Sequence, residues 1–210
     1  MDSDTTTDPG ANVPDGQAAD LRDISDVDTM RALSHPVRIA LIETLTMFGA
    51  MTATQAGERI GESPTTCSFH LRQLAKYGFV EEAGGGKGRA RPWRMASFGM
   101  RIKSVHSDPA AEIAAGALAR MVRERQLQRY QSWLDARPSY PERWREVASD
   151  GAFFFYVTPD ELEALNEELV ELLVPRFRER ITDPARRPAG SAPVEMLLFT
   201  YPIGLPEAQA

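Results

Sequence analysis

Apolar positions along this chain fall into blocks whose spacing changes twice. From Asp26 to about Ala96 the order reads helix, helix, helix, helix, hairpin, with Met30, Leu33, Val37, Ile39, Ala40, Ile42 and Leu45 at helical spacing. His35-Pro36 breaks the first run. Proline suits the first position of a helix, where no N–H is needed, so a new helix starts at Pro36 and ends near Gly49. Thr52-Ala53-Thr54-Gln55 is a capping box that opens a helix to about Ile60. Gly61-Glu62-Ser63 is a tight turn; Ser63 caps the next helix, Pro64 takes its first position, and Gly78 ends it after Tyr77. Val80-Glu81-Glu82 and Pro92-Trp93-Arg94-Met95 read as short strands. The Gly-rich stretch between them, residues 83–91, makes the pair a hairpin wing.

Beyond residue 97 the pattern predicts a second unit. A helix over about 110–134 carries Ile113, Ala117, Met121, Leu127, Tyr130, Trp133 and Leu134. Residues 137–150 give no clear pattern, with Trp144 as an anchor. Phe153-Phe154-Phe155-Tyr156-Val157 is strand-like, as is Val194 to Tyr201. Between them, Thr158-Pro159-Asp160-Glu161 caps a helix with Leu162, Leu165, Leu169, Leu172 and Leu173 on one stripe. Pro175 kinks or ends that helix, and residues 182–193 form a loop. The expected fold class is mainly α with small β elements: a winged helix-turn-helix domain over 26–96, then a helical dimerisation or α+β region over 97–210.

Charge placement sharpens this division. The net charge is −6, which at first argues against nucleic acid. Residues 1–28 hold eight Asp and one Arg, whereas residues 29–96 hold nine Lys/Arg against five Asp/Glu. The one positive block is thus the one that reads as a helix-turn-helix. Residues 1–25 have almost no large apolar side chains and are expected to be a disordered acidic tail, or else an acidic arm competing with DNA phosphate for the basic face. No run of eighteen apolar residues and no secretory signal is present, and one cysteine, Cys67, excludes an intrachain disulfide. A cytoplasmic protein without membrane contact is expected.

The helix pair carries the candidate chemistry. Two helices joined by a three-residue turn make a helix-turn-helix, and the second is long enough to enter a major groove about 12 Å wide. Cys67, Leu71 and Leu74 share its inward face. Thr65, Thr66, Ser68, Phe69, Arg72 and Gln73 spread over the outward side, with Pro64 at the start. Hydroxyls reach phosphates or base edges, Phe69 suits a thymine methyl, and Arg72 suits guanine or phosphate. The wing cations Lys87, Arg89 and Arg91 suit phosphate or the minor groove. The plainer alternative is that the Thr, Ser and Arg side chains solvate an ordinary helix; Phe69 argues against it, since an outward aromatic gains little from water.

Arg31-Ala32-Leu33-Ser34-His35-Pro36-Val37-Arg38, and Ser63 to Leu74 followed by Tyr77-Gly78-Phe79-Val80, resemble the opening and the recognition helix of ArsR-like winged-helix regulators. The resemblance spans residues 29–96 and implies a homodimer, most simply a repressor, on an inverted-repeat operator in double-stranded DNA. It carries the DNA-reading role to Thr65, Thr66, Ser68, Phe69 and Arg72, the wing role to Lys87, Arg89 and Arg91, and a structural role to His70. A small-molecule effector stays open as a further partner. The chain departs from metal-sensing members: Cys67 stands alone, and His35, His70 and His106 lack ligand spacing, so neither metal nor cofactor is expected. No enzyme is expected either. Gly84-Gly85-Gly86-Lys87-Gly88 lacks phosphate-loop spacing, and no nucleophile triad appears. A protein-interaction module on the same fold, without DNA, is the competing function. Trp133, Trp144, Phe153, Phe155, Tyr156 and Phe199 are expected as core, with an effector pocket as the alternative.

Overall fold

The computed structural model describes residues 21–85, 91–97, 99–102 and 108–204. Strand β1 (Leu21–Ile24) leads into α1 (Val27–Leu33), α2 (Pro36–Phe48), α3 (Ala53–Ile60) and α4 (Pro64–Lys76). Strands β2 (Val80–Glu82), β3 (Trp93–Met95) and β4 (Gly99–Ile102) follow, then α5 (Pro109–Ala136), α6 (Glu142–Val147) and α7 (Pro159–Thr182). The fold is mainly helical with short strands, as expected.

Local signals explain where the helices begin. Asp26, Thr52, Ser63, Asp108 and Thr158 each accept a backbone N–H in the first turn of the helix they cap, and Pro36, Pro64, Pro109 and Pro159 occupy first positions. His35 caps α2 through its ring, which accepts from the Val37 N–H. Pro175 does not end α7, which continues to Thr182. Residues 137–147 resolve into a 3-10 turn (Arg137–Ser139) and α6, with Trp144 half-buried.

One core joins the first four helices: Met30, Leu33, Leu41, Ile42, Leu45, Cys67, Leu71, Leu74, Phe79 and Val80 are buried together. β2 pairs antiparallel with β3 in the register Val80↔Met95, Glu81↔Arg94 and Glu82↔Trp93. Met51 adds a bridge on the outer side of Trp93, exchanging two backbone hydrogen bonds of 2.8 and 3.0 Å.

Four expectations need correction. First, the tail does not reach residue 25. Leu21–Ile24 pairs in parallel with β4, from Leu21↔Gly99 to Ile24↔Ile102, and Ile24 is buried. Its partner lies on the far side of the helix-turn-helix in sequence, so nothing local announces the strand. The rest of that expected tail, residues 1–20, lies outside the described residues. Second, the core crosses the division expected at residue 96. α5 packs against α1, and Ala115 and Leu118 join the same core.

Third, α5 buries only part of the stripe its larger side chains suggested: Met121 packs against the core, but the fully buried face is another one. Ala111, Ala115 and Leu118 face inward while Ile113 and Ala117 are exposed. Small side chains let α5 approach α1 closely, so this face is used at the expense of the bulkier one. Fourth, residues 153–157 and 194–201 form no strand, and Phe153 and Phe154 are 88% and 79% exposed. The strand-helix-strand unit therefore does not close within one chain, and Phe153, Phe155, Tyr156 and Phe199 are exposed rather than core. Trp133 instead stacks on Tyr130 at 6.0 Å between ring centroids.

Candidate nucleic-acid interface

The helix pair is set by its turn. Thr52 donates its N–H to Gln55 Oε1 at 2.9 Å and receives the Gln55 N–H on its hydroxyl at 3.3 Å, closing the capping box. At the other end of α3, Gly61 and Glu62 both donate N–H to the Gly57 carbonyl, at 2.9 and 3.0 Å. Gly61 takes the left-handed conformation (φ 76°), which a side chain would disfavour. Gly57 has the tighter constraint: a Cβ there would sit 2.5 Å from the Glu62 carbonyl oxygen and 3.5 Å from Cys67 Sγ. Sequence reading did not single out Gly57, although an isolated glycine inside a helical pattern is a signal of close approach.

α4 divides as its period dictates. Cys67, His70, Leu71 and Leu74 are buried. Pro64, Thr65, Phe69 and Arg72 are exposed, while Thr66, Ser68 and Gln73 are half-buried. Thr66 belongs to the cap: its N–H donates to Ser63 Oγ at 3.0 Å, and the two hydroxyls lie 2.8 Å apart. Arg72 Nη1 donates to Ser68 Oγ at 2.9 Å, one turn back. That bond holds the guanidinium along the outer face. Phe69 is 51% exposed and meets the edge of the His70 ring at 5.1 Å.

Behind this face, His70 lies against His35, with ring centroids 4.3 Å apart. Burial, then the neighbouring His35 and Arg38, push the His70 pKa below its ordinary value. Its Nδ1 is buried without a hydrogen-bond partner. The Cys67 thiol is fully enclosed; burial first and Glu62 second raise its pKa, which suits a packed apolar side chain better than a reactive thiolate. No group of three or more His, Cys, Asp or Glu among the described residues is arranged to hold a metal ion.

The wing stands beside α4 on β2 and β3. Lys87 and Arg89 lie outside the described residues. Arg91 is described and pairs with Glu82 at 2.8 Å, while Arg94 pairs with Glu81 at 2.7 Å. Counting charges along the chain could not reveal these cross-strand pairs. Both acids project from β2 toward the cations, so part of the wing's charge is neutralised in the free protein.

Residues 33–83 match the family model of a helix-turn-helix domain, from the end of α1 to just past β2. No curated protein matches the chain. Solved structures with partial overlap include a MarR family regulator, NMB1585, from Neisseria meningitidis, at 18% identity, 70% of this chain and 80% of that one, with a TM-score of 0.32. The transcriptional repressor BigR from Xylella fastidiosa is 23% identical over 47% and 85% of the two chains, with a TM-score of 0.29. A MarR family transcriptional regulator from Silicibacter pomeroyi is 16% identical over 71% and 79%, with a TM-score of 0.27. Overlays at this level carry no functional argument. The helix-turn-helix match supports a DNA-binding regulator, and among the described residues no helix is long and apolar enough to cross a membrane.

Proposed function

We propose that this chain is a transcription regulator, most simply a repressor, which binds an inverted-repeat operator as an ArsR-like homodimer. The observation that carries the reading is the two-sided character of α4. Its inner face is sealed by Cys67, His70, Leu71 and Leu74, while its outer face, behind a capped N-terminus, offers Thr65, Phe69 and Arg72. A helix so anchored and so presented suits a major groove, with two copies placed about one helical turn, ~34 Å, apart by the dimer.

Roles follow from reach and chemistry. Pro64 and Thr65 stand at the leading end, where backbone N–H groups and the helix dipole favour phosphate. Thr66 and Ser68 contribute hydroxyls, Phe69 meets a thymine methyl, and Arg72 with Gln73 reads base edges or clamps phosphate. Lys87, Arg89 and Arg91 take the wing side. Arg91 must leave Glu82 to do so, exchanging one exposed ion pair for another at little net cost.

Selection from a random duplex pool, followed by salt titration of the winner beside a scrambled control, tests this. An enriched inverted repeat whose affinity falls steeply with salt is expected. Arg72→Ala should weaken the selected site by about 1–3 kcal/mol. A half-exposed Phe69 also suits a protein partner. No enrichment at low salt, even with cell extract supplying effectors, would sink the regulator reading and leave the interaction module.

A further inference from the structure

The residues with strand composition that stay unpaired are concentrated in two segments, 153–157 and 194–201. Phe153, Phe154, Phe155 and Tyr156 are consecutive and all exposed. Consecutive residues of an extended chain point to opposite sides, so this segment needs cover on both faces, not one. Val194, Met196, Leu198, Phe199 and Tyr201 are exposed as well. Neither segment has a ladder partner among the described residues.

The second segment is nevertheless held in place. Arg129 on α5 forms a short ion pair with Glu195, and its other side meets Glu43 of α2 at 2.7 Å. The Arg123 guanidinium lies over the Phe199 ring at 5.8 Å, and Thr200 Oγ1 is 3.3 Å from Asn166 Oδ1 of α7. The first segment runs directly into the capped start of α7 at Thr158. Two apolar edges are therefore presented on fixed anchors.

We infer that these two segments form the homodimer seam, 153–157 of one copy pairing with strands of a second copy of this chain to build the sheet that one chain cannot close. The inference rests on the homodimer reading above and names its interface. Area supports a second copy over a smaller occupant. Aromatic side chains bury ~150–250 Å² each, so the exposed part of the two segments amounts to about 1,000 Å² per protomer. Twice that, about 2,000 Å², is what a stable protein pair buries. A twofold arrangement gives each segment an equivalent partner in the other copy. The competing seam is the outer face of α5, where Ile113 is exposed.

Sedimentation and hydrogen exchange on the full chain without DNA test this independently of operator binding. The wild type should sediment as a dimer, Phe154→Lys as a folded monomer by circular dichroism, and Ile113→Lys as a dimer. Amides of 153–157 and 194–201 should exchange at least about tenfold slower in the dimer than after dilution to monomer. Exchange decides the matter if Phe154→Lys does not fold. A wild-type monomer would overturn both the homodimer reading and this interface. A dimer whose amides in both segments exchange unprotected, or which Ile113→Lys dissociates, would overturn the interface alone.

Discussion

Replacing Gly57 by alanine should destabilise the protein although it improves an α-helix. Gly57 lies inside α3, and the gain in helix propensity is about 1 kcal/mol. Against it stands a Cβ built 2.5 Å from the Glu62 carbonyl oxygen, where ordinary contact begins at 3.4 Å. The obstacle is backbone, and that backbone is tied: Glu62 donates its own N–H back to the Gly57 carbonyl at 3.0 Å. Relief requires shifting the turn by most of an ångström, which moves Ser63 and the capped start of α4. Overpacking of this kind costs about 1–3 kcal/mol. Offset by propensity, the net loss is about 0–2 kcal/mol. Urea unfolding followed by circular dichroism reads this as a lower midpoint with an unchanged slope. Affinity for the selected duplex should fall too, because Thr65 and Arg72 are displaced with the helix. A Gly57→Ala protein more stable than wild type would refute the argument, since only the propensity term would then remain.

Acidification should weaken the fold through His70. Its pKa is lowered in the folded chain by burial, so the unfolded state binds more protons as pH falls below about 6.5. Stability is therefore fully present above that pH and declines below it; a urea midpoint that declines as steeply in His70→Asn as in wild type would exclude His70 as the cause. Glu43→Gln should cost about 1 kcal/mol, because it weakens the pairs to Arg125 and Arg129 that fasten α5 to α2, each arginine side chain being about one-third exposed. The difference from wild type should shrink in high salt, and a salt-independent loss would point to packing instead. Cys67 should react with a thiol reagent no faster than the chain opens, given a buried thiol with a raised pKa; rapid labelling of native protein would contradict its place in the core.

Much of the helix-turn-helix was legible from residues close together in sequence. Pro36 and Pro64 start helices, and Thr52-Gln55 and Thr158-Glu161 close capping boxes at the expected places. Each of these signals acts within one helical turn, so the chain declares it locally. The inward turn of Cys67, Leu71 and Leu74 follows from the same period. Only the tertiary structure decided the pairing of β1 with β4, the choice of the alanine face of α5 over Ile113, the neutralising of Arg91 by Glu82, and the tightness at Gly57. These depend on which surfaces meet after the helices have packed. Close packing selects among faces that composition alone leaves equivalent, so distance between partners along the chain is what hid them.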